Sequence, residues 1–472
     1  MAKQTVLEWV DQHQSELIQL SDQIWEWAEP GLHEHQSAAA LIQLLKENGF
    51  SVEEGVADMP TAFVASYGSG HPVIAILGEY DALPGLSQTR HYEKEVARPG
   101  AAGHGCGHNL LGVGAVGGAL ALRAAMEKHN LSGTIRYYGC PAEETLVGKV
   151  FMVRDGLFAD VDISMTWHPD SQNALWAASS LAMNSAVFTF HGRSSHAAGD
   201  PESGRSALDA VELMNVGANY LREHVVQDAR IHYVITHGGG EPNIVPPIAR
   251  VWYYVRAPRR HQVEEIYARL LKIAEGAALM TETSFEVELL TACHDTVHNN
   301  VIGDVLLESM HQVGVPAWDE AEIDFARRIS ESFPEGYQQA LAVAAERDGV
   351  DLSGKYLADY ISDYANTREI SAGSTDVGDV SYVTPTAQFL AACKALGAPG
   401  HSWQYTACSG TSIGHKGMLF AAKTLALSGL RFLQEPQLVE QAKAAFAADT
   451  KGRPYKSGLA ADAKPPLHQL HH

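Results

Sequence analysis

Strand-like runs alternate with helical ones between Val73 and Trp167, and that alternation leaves few folds open. Val73–Gly78 is a short apolar run, Asn109–Lys128 reads as a long helix of small and apolar residues, and Thr134–Gly139 reads as a strand. Met152–Phe158 has the look of a helix end and turn, and Asp162–Trp167 of another strand. Such a rhythm predicts an α/β domain with a mainly parallel sheet, covered by helices on both faces. Thr5 to Asn48, with apolar residues at helical spacing, predicts two leading helices. From about Asn184 the rhythm changes. Ala186–His191 alternates like a half-exposed strand, Ser206–Glu223 is an amphipathic helix, and Ile231–Thr236 and Arg250–Arg256 are strands. A second helix, Gln262–Glu282, and a last strand, Ser284–Leu290, complete the order β-α-β-β-α-β of a ferredoxin-like sandwich. We read this unit, 184–295, as a lid or dimerisation domain inserted into a catalytic domain built from 1–183 and 296–472. Two domains also suit a chain of 472 residues. Trp318 to Arg368 is polar and charged and yields only helices and loops. Leu467–His472, with three histidines behind a Lys-Pro-Pro break, reads as a disordered tail.

Charge narrows the partners. With 34 Lys+Arg against 56 Asp+Glu, the formal net charge is -22, and the basic footprint that nucleic acid or an anionic membrane requires is missing. An anionic substrate would be repelled at long range and must be held by specific local cations. Five scattered cysteines do not resemble a disulfide scaffold. Met1–Val10 lacks a signal pattern, and no run of about 18 apolar residues occurs, so a cytoplasmic enzyme is expected.

Reactive side chains gather just after the predicted strands. Asp81 follows the first, in Gly78-Glu79-Tyr80-Asp81-Ala82-Leu83-Pro84; Glu143 and Glu144 follow the Thr134 strand behind Cys140-Pro141-Ala142; His168 follows the Asp162 strand. At the opening of the long helix stands Gly103-His104-Gly105-Cys106-Gly107-His108-Asn109. Ligands bind outside the carboxyl ends of the strands of open α/β sheets, so these groups share one edge. Thiolate and imidazole are good ligands for zinc-like metals, and the intervening glycines let backbone approach closely. The bland alternative is a glycine turn with a buried cysteine and a helix-capping histidine. Of the adjacent pair Glu143-Glu144, one carboxylate can ligate a metal while the other takes a proton from water; a solvated acidic turn is the alternative. Gly112-Val113-Gly114-Ala115-Val116-Gly117 matches the dinucleotide fingerprint literally but falls inside the helix, where glycine serves close helix-to-sheet packing instead.

The motifs Gly-Glu-Tyr-Asp-Ala-Leu-Pro-Gly, Gly-His-Gly-Cys-Gly-His-Asn and Cys-Pro-Ala-Glu-Glu resemble those of the metallopeptidase family numbered twenty, which holds aminoacylases, carboxypeptidase G and indoleacetyl-amino-acid hydrolases. The likeness continues through Gly204–Val211, Lys272–Thr283, Ser374–Ser381 and His415–Met418. By position, the resemblance implies that Cys106 bridges two metals, with His108, Glu144, His168 and His401 completing the set. Glu143 would be the general base and Asp81 the carboxylate that orients a ligand imidazole. His196 would polarise the scissile carbonyl, usually across a dimer interface, while Asn243 and Arg256 would hold the substrate. A planar guanidinium suits Arg256 to gripping a carboxylate. Many relatives have a histidine ligand where this chain has Glu79.

The resemblance therefore implies a metal-dependent amidohydrolase acting on an N-acyl amino acid, p-aminobenzoyl-glutamate foremost, with a dipeptide or an auxin conjugate as the alternative. Two divalent ions, zinc or manganese, are expected, as is a homodimer or a heterodimer with a related subunit. A rival of another class is a metal-stabilised, non-catalytic partner subunit, against which the intact Glu143 argues.

Overall fold

A computed structural model describes residues 1–334, 336–363 and 369–467. His468, His471 and His472 of the tail, and part of the stretch before Arg368, lie outside the described residues. The chain contains strands β1 (Ser51–Glu54), β2 (Phe63–Ser69), β3 (Val73–Glu79), β4 (Gly133–Cys140), β5 (Ile163–Asp170), β6 (Asn173–Leu175), β7 (Ala182–His191), β8 (Arg230–His237), β9 (Ile248–Ala257), β10 (Ser284–Cys293), β11 (Ile361–Ser362) and β12 (Thr386–Ala392). Eight of them form one sheet in the order β1-β2-β4-β3-β5-β12-β6-β11. Its centre is parallel, β3 pairing with β4 and β5 and β12 pairing with β5, while β1 and β2 add an antiparallel margin. β3 is buried along its whole length, as a strand covered on both faces must be.

Helices Ala2–Trp27, His108–His129 and Ser412–Gln434 pack on one face of this sheet, around Trp167, Val113 and Leu425. On the other face lie helices Gly148–Arg154 and Val377–Ser381, with Phe151, Phe158 and Tyr138 between the layers. The glycine run of the central helix is a packing device. A Cβ on Gly112 would lie 2.7 Å from the Glu79 carbonyl oxygen, and one on Gly114 would lie 2.7 Å from the Trp167 ring.

β7 to β10 form a second, wholly antiparallel sheet in the order β10-β7-β9-β8. With helices Ala207–Leu221 and Arg260–Thr281 between the strands, this is the ferredoxin-like arrangement. Ala249, Val251, Tyr253 and Val255 of β9 point into the core beneath those helices. The alternate residues Arg250, Trp252, Tyr254 and Arg256 therefore stand on the uncovered face. From Trp318 onward the helices Glu320–Ser330 and Tyr337–Asp348 form, the first of them capped by Asp319 and Glu322.

Two glycines give opposite expectations. Gly114→Val overpacks against Trp167 and should cost about 1–3 kcal/mol. Gly276→Ala, with no atom within 4 Å of its added methyl, should gain about 0.5–1 kcal/mol from helix propensity. Shifts of the urea midpoint in opposite directions test both.

Candidate active site

Four elements deliver their polar groups to the carboxyl edge of the parallel strands. β3 ends on Glu79, two residues before Asp81; β4 runs into Glu143 and Glu144; β5 carries His168 near its end. His108 is the first residue of the central helix, with Cys106 in the turn before it. His401 arrives in the loop after β12, in left-handed backbone at φ 50°, its N–H donating to the Gly105 carbonyl at 3.1 Å.

Asp81 organises the group. Its Oδ1 lies 2.9 Å from His108 Nδ1, and its Oδ2 accepts the Glu144 N–H at 3.0 Å. His108 Nε2 is thereby turned inward, buried and without a hydrogen-bond partner, as is Glu144 Oε1. His168 Nδ1 donates to the Pro169 carbonyl at 2.8 Å, which leaves Nε2 facing Cys106 Sγ at 3.4 Å. Both imidazoles thus present the same nitrogen to one space. Donor atoms of Cys106, His108 and His168 lie within 4.8 Å of one another, as do those of Cys106, Glu144 and His401. Cys106 belongs to both groups. All five residues named as ligands meet here, and Glu143 and Asp81 stand beside them.

The electrostatics call for added positive charge. Burial pushes the Cys106 thiol up to about 12, helped by Glu144. Burial likewise lifts Glu144 to about 7, with Asp81 and Glu79 adding to it against the pull of His108. Glu143 is driven well above the carboxylate range by burial, Glu79 and Asp376, while Lys149 and His108 oppose the rise. His168 is lowered to about 4 by burial and by His108, so its ring is neutral. Burial opposes charge on His108, but Asp81 holds its pKa well above the usual imidazole value. A thiol, a neutral His168 ring, a His108 ring held by Asp81, crowded carboxylates and two orphaned buried polar atoms fit divalent cations bound by sulfur, nitrogen and oxygen.

Three buried residues escaped the sequence reading. Glu34 accepts the Ala142 N–H at 2.8 Å and the Thr61 hydroxyl at 2.8 Å, holding the turn that leads to Glu143. Lys149 and Asp376 pair with each other and, through Lys149, with Glu79. A lone lysine inside the apolar stretch Leu146–Val153 was the available signal.

The smaller sheet contributes from above. Arg256 turns its guanidinium toward this edge, Nη1 reaching Ser374 Oγ at 3.4 Å while its buried Nε has no partner. Burial lowers the pKa of His401, and the charges of His108, Lys394 and, after them, Arg256 add to it. His196 and Asn243 sit elsewhere, on an exposed pair of loops joined by a His196–Ile244 bridge and an Ala197 N–H bond to the Asn243 carbonyl at 2.9 Å. Among the described residues, neither has a hydrogen bond or ion pair to the metal-competent group. His196 Nδ1 accepts the N–H groups of Ala198 and Gly199, at 3.2 and 2.9 Å, so the neutral ring carries its proton on Nε2. Between the two sheets opens a cavity of about 610 Å³, bounded by Leu83, Glu144, Val187, Arg250, Trp252 and Glu288 among others.

This geometry gathers a group of side chains able to hold metal at one edge of the larger sheet, facing a cleft beneath the smaller one. Residues 182–281 match the peptidase dimerisation domain of the M20 family. The whole chain is similar to one of the subunits of p-aminobenzoyl-glutamate hydrolase from Escherichia coli (strain K12), 41% identical over 456 residues that cover 94% of this chain and 95% of that protein. The chain belongs to the M20 peptidase family, and it is an amide-bond hydrolase. Mouse Xaa-Arg dipeptidase is 29% identical, covering 94% of this chain and 92% of that protein. The fold is shared with an aminobenzoyl-glutamate utilization protein from Klebsiella pneumoniae, at TM-score 0.62 and 19% identity over 90% of this chain and 98% of that one. It is shared also with Bacillus subtilis YXEP, a dinuclear metal-binding M20 peptidase, at TM-score 0.55 and 16% identity over 90% and 99%.

Because Glu144 and Cys106 must shed protons to ligate, cation affinity should fall as pH drops through about 7, and binding near pH 7 should release about one proton or more. Calorimetric titration between pH 8 and 6, in buffers of different ionisation heat, measures both; an affinity that does not change with pH would contradict the assignment.

Proposed function

We propose that the protein hydrolyses the amide bond of an N-acyl amino acid, p-aminobenzoyl-glutamate before others, with two divalent cations, zinc or manganese, as cofactors. One observation carries this reading: Cys106 is shared by two donor groups while the neighbouring Glu143 makes no side-chain hydrogen bond among the described residues. A purely structural centre has no need of a free buried carboxylate. When bound, the cations polarise the scissile carbonyl and acidify water. Everything else falls to the chain. Glu143 takes the proton of the attacking water and passes it to the leaving nitrogen. Arg256, with its unpartnered Nε, grips the carboxylate of the amino-acid half, and Asn243 assists from the His196 loops of a neighbouring protomer. The acyl half extends into the cavity over Leu83 and Trp252.

His196 offers its Nε2–H to the developing oxyanion of a neighbouring protomer. The exposed apolar surface of the smaller unit supports such pairing, with Tyr220 76% exposed and Val234 on the edge strand β8 53% exposed. A second copy or a related chain fits, since the E. coli relative is itself named as one component of a larger hydrolase. In this reading, 184–295 acts as lid and dimerisation unit, and five unpaired cysteines favour a reducing, cytoplasmic setting. A dipeptide or an indoleacetyl conjugate is the alternative substrate, since relatives bear those names.

The purified chain alone, assayed on p-aminobenzoyl-glutamate, indoleacetyl-aspartate, acetylated amino acids and dipeptides with zinc, manganese or a chelator, should release the amino acid only with metal. Silence across the panel with metal bound would favour a non-catalytic partner subunit. Glu143→Ala should retain metal and lose about 10²-fold or more in kcat; unimpaired turnover removes Glu143 as base. Arg256→Ala should act mainly on KM for substrates with a free carboxylate.

A further inference from the structure

Beside the donor groups lies a charge cluster that the proposed reaction does not use. Lys149 is completely buried. Its ammonium pairs with Asp376 and, at 2.7 Å, with Glu79 Oε1, and its backbone N–H donates to Asp376 Oδ2 at 2.8 Å. Two carboxylates thus flank the one ammonium, Asp376 on one side and Glu79 on the other. The second oxygen of Glu79 points the other way. Oε2 lies 3.4 Å from His108 Nε2, the buried nitrogen without a hydrogen-bond partner.

A carboxylate left to itself would avoid this place, for Glu143, Glu144 and Asp81 crowd the same space. Lys149 removes that objection by taking one oxygen of Glu79 and leaving the other directed at the donor nitrogen. Asp376 grips the lysine through both ammonium and backbone, so the arrangement is braced from behind. We propose that Glu79 is a further donor to the cation on the Cys106–His108–His168 side, and that Lys149, anchored by Asp376, is the residue that positions it there. This rests on the two-cation reading above.

The two cation positions then differ. Glu79 reaches this side through His108, whose donor atom lies within 4.8 Å of those of Glu79 and Glu143. With Glu143 kept as the base, Cys106, His108, His168 and Glu79 would make four protein donors, the number of a closed site. Cys106, Glu144 and His401 make three, and the His401 side chain is 59% exposed. The first position binds tightly and exchanges slowly; the second keeps a place for water or substrate.

Zinc titration of the chelator-stripped protein, followed by calorimetry or competition with a chromophoric chelator, tests this without reference to activity. Wild type should take two zinc ions. Glu79→Gln should weaken one of them 10–100-fold and leave the other within about twofold. Lys149→Met should weaken the same ion, Lys149→Arg should restore part of the loss, and the double variant Glu79→Gln/Lys149→Met should lose no more than Glu79→Gln alone. Should Lys149→Met not fold, the Glu79→Gln titration decides by itself, with unchanged far-UV circular dichroism as its control. Two zinc ions bound to Glu79→Gln with wild-type affinity, equal weakening of both, or additive losses in the double variant would overturn the proposal. Fewer than two zinc ions on the wild-type chain would instead overturn the two-cation reading.

Discussion

A single buried carboxylate sets the geometry on which the rest depends. Asp81 bonds to an imidazole with one oxygen and to a backbone N–H with the other, so the start of the central helix and the turn after β4 are fixed to one point. Burial would raise its pKa, but the His108 charge and hydrogen bond and the Glu144 N–H hold it below the usual value. The neighbouring turn then follows. Ala142 adopts φ 53°, an uncommon conformation for alanine, and the Glu34 carboxylate accepts its N–H. Burial and the nearby Asp81 lift Glu34 to about 8, so its bonds to Ala142 and Thr61 are made largely by the neutral acid. Two carboxylates, one ionised and one not, thus position both members of the Glu143-Glu144 pair.

Much of this could be read from the chain, and the failures have physical reasons. Residues at or just past the carboxyl end of a buried parallel strand, such as Asp81, Glu143 and His168, were legible because strand and reactive group are contiguous. The six elements of the smaller unit were legible from alternation and helical spacing. β1 and β2 were missed: Ser51–Glu54 is short and largely exposed, and Phe63–Ser69 mixes small, polar and aromatic residues without a clear period. His401 reaches the site through a loop, in a backbone conformation no spacing announces, and only the resemblance suggested it. Glu79 was seen as a departure from a familiar pattern. Its meaning required Lys149 and Asp376, which lie far along the chain and meet it only through the fold.

His196 and Asn243 show a different limit. One chain places them on an exposed loop pair away from the metal-competent group, and no rearrangement within the described residues is needed to satisfy their local bonds. The two backbone N–H groups on His196 Nδ1 leave its Nε2 as the position that faces outward, a preformed donor on the exposed loop.

The strand period of two has a further consequence in β9. Ala249, Val251, Tyr253 and Val255 face the core beneath the helices, while Arg250, Trp252, Tyr254 and Arg256 face the cleft. Folding and the lining of the cleft are therefore written on opposite sides of one strand. Position 250 can change without disturbing a core contact, whereas Trp252 also donates its ring N–H to the buried Ser185 hydroxyl at 2.8 Å, so the cleft can be relined by drift at one place on this face while the other keeps the domain folded.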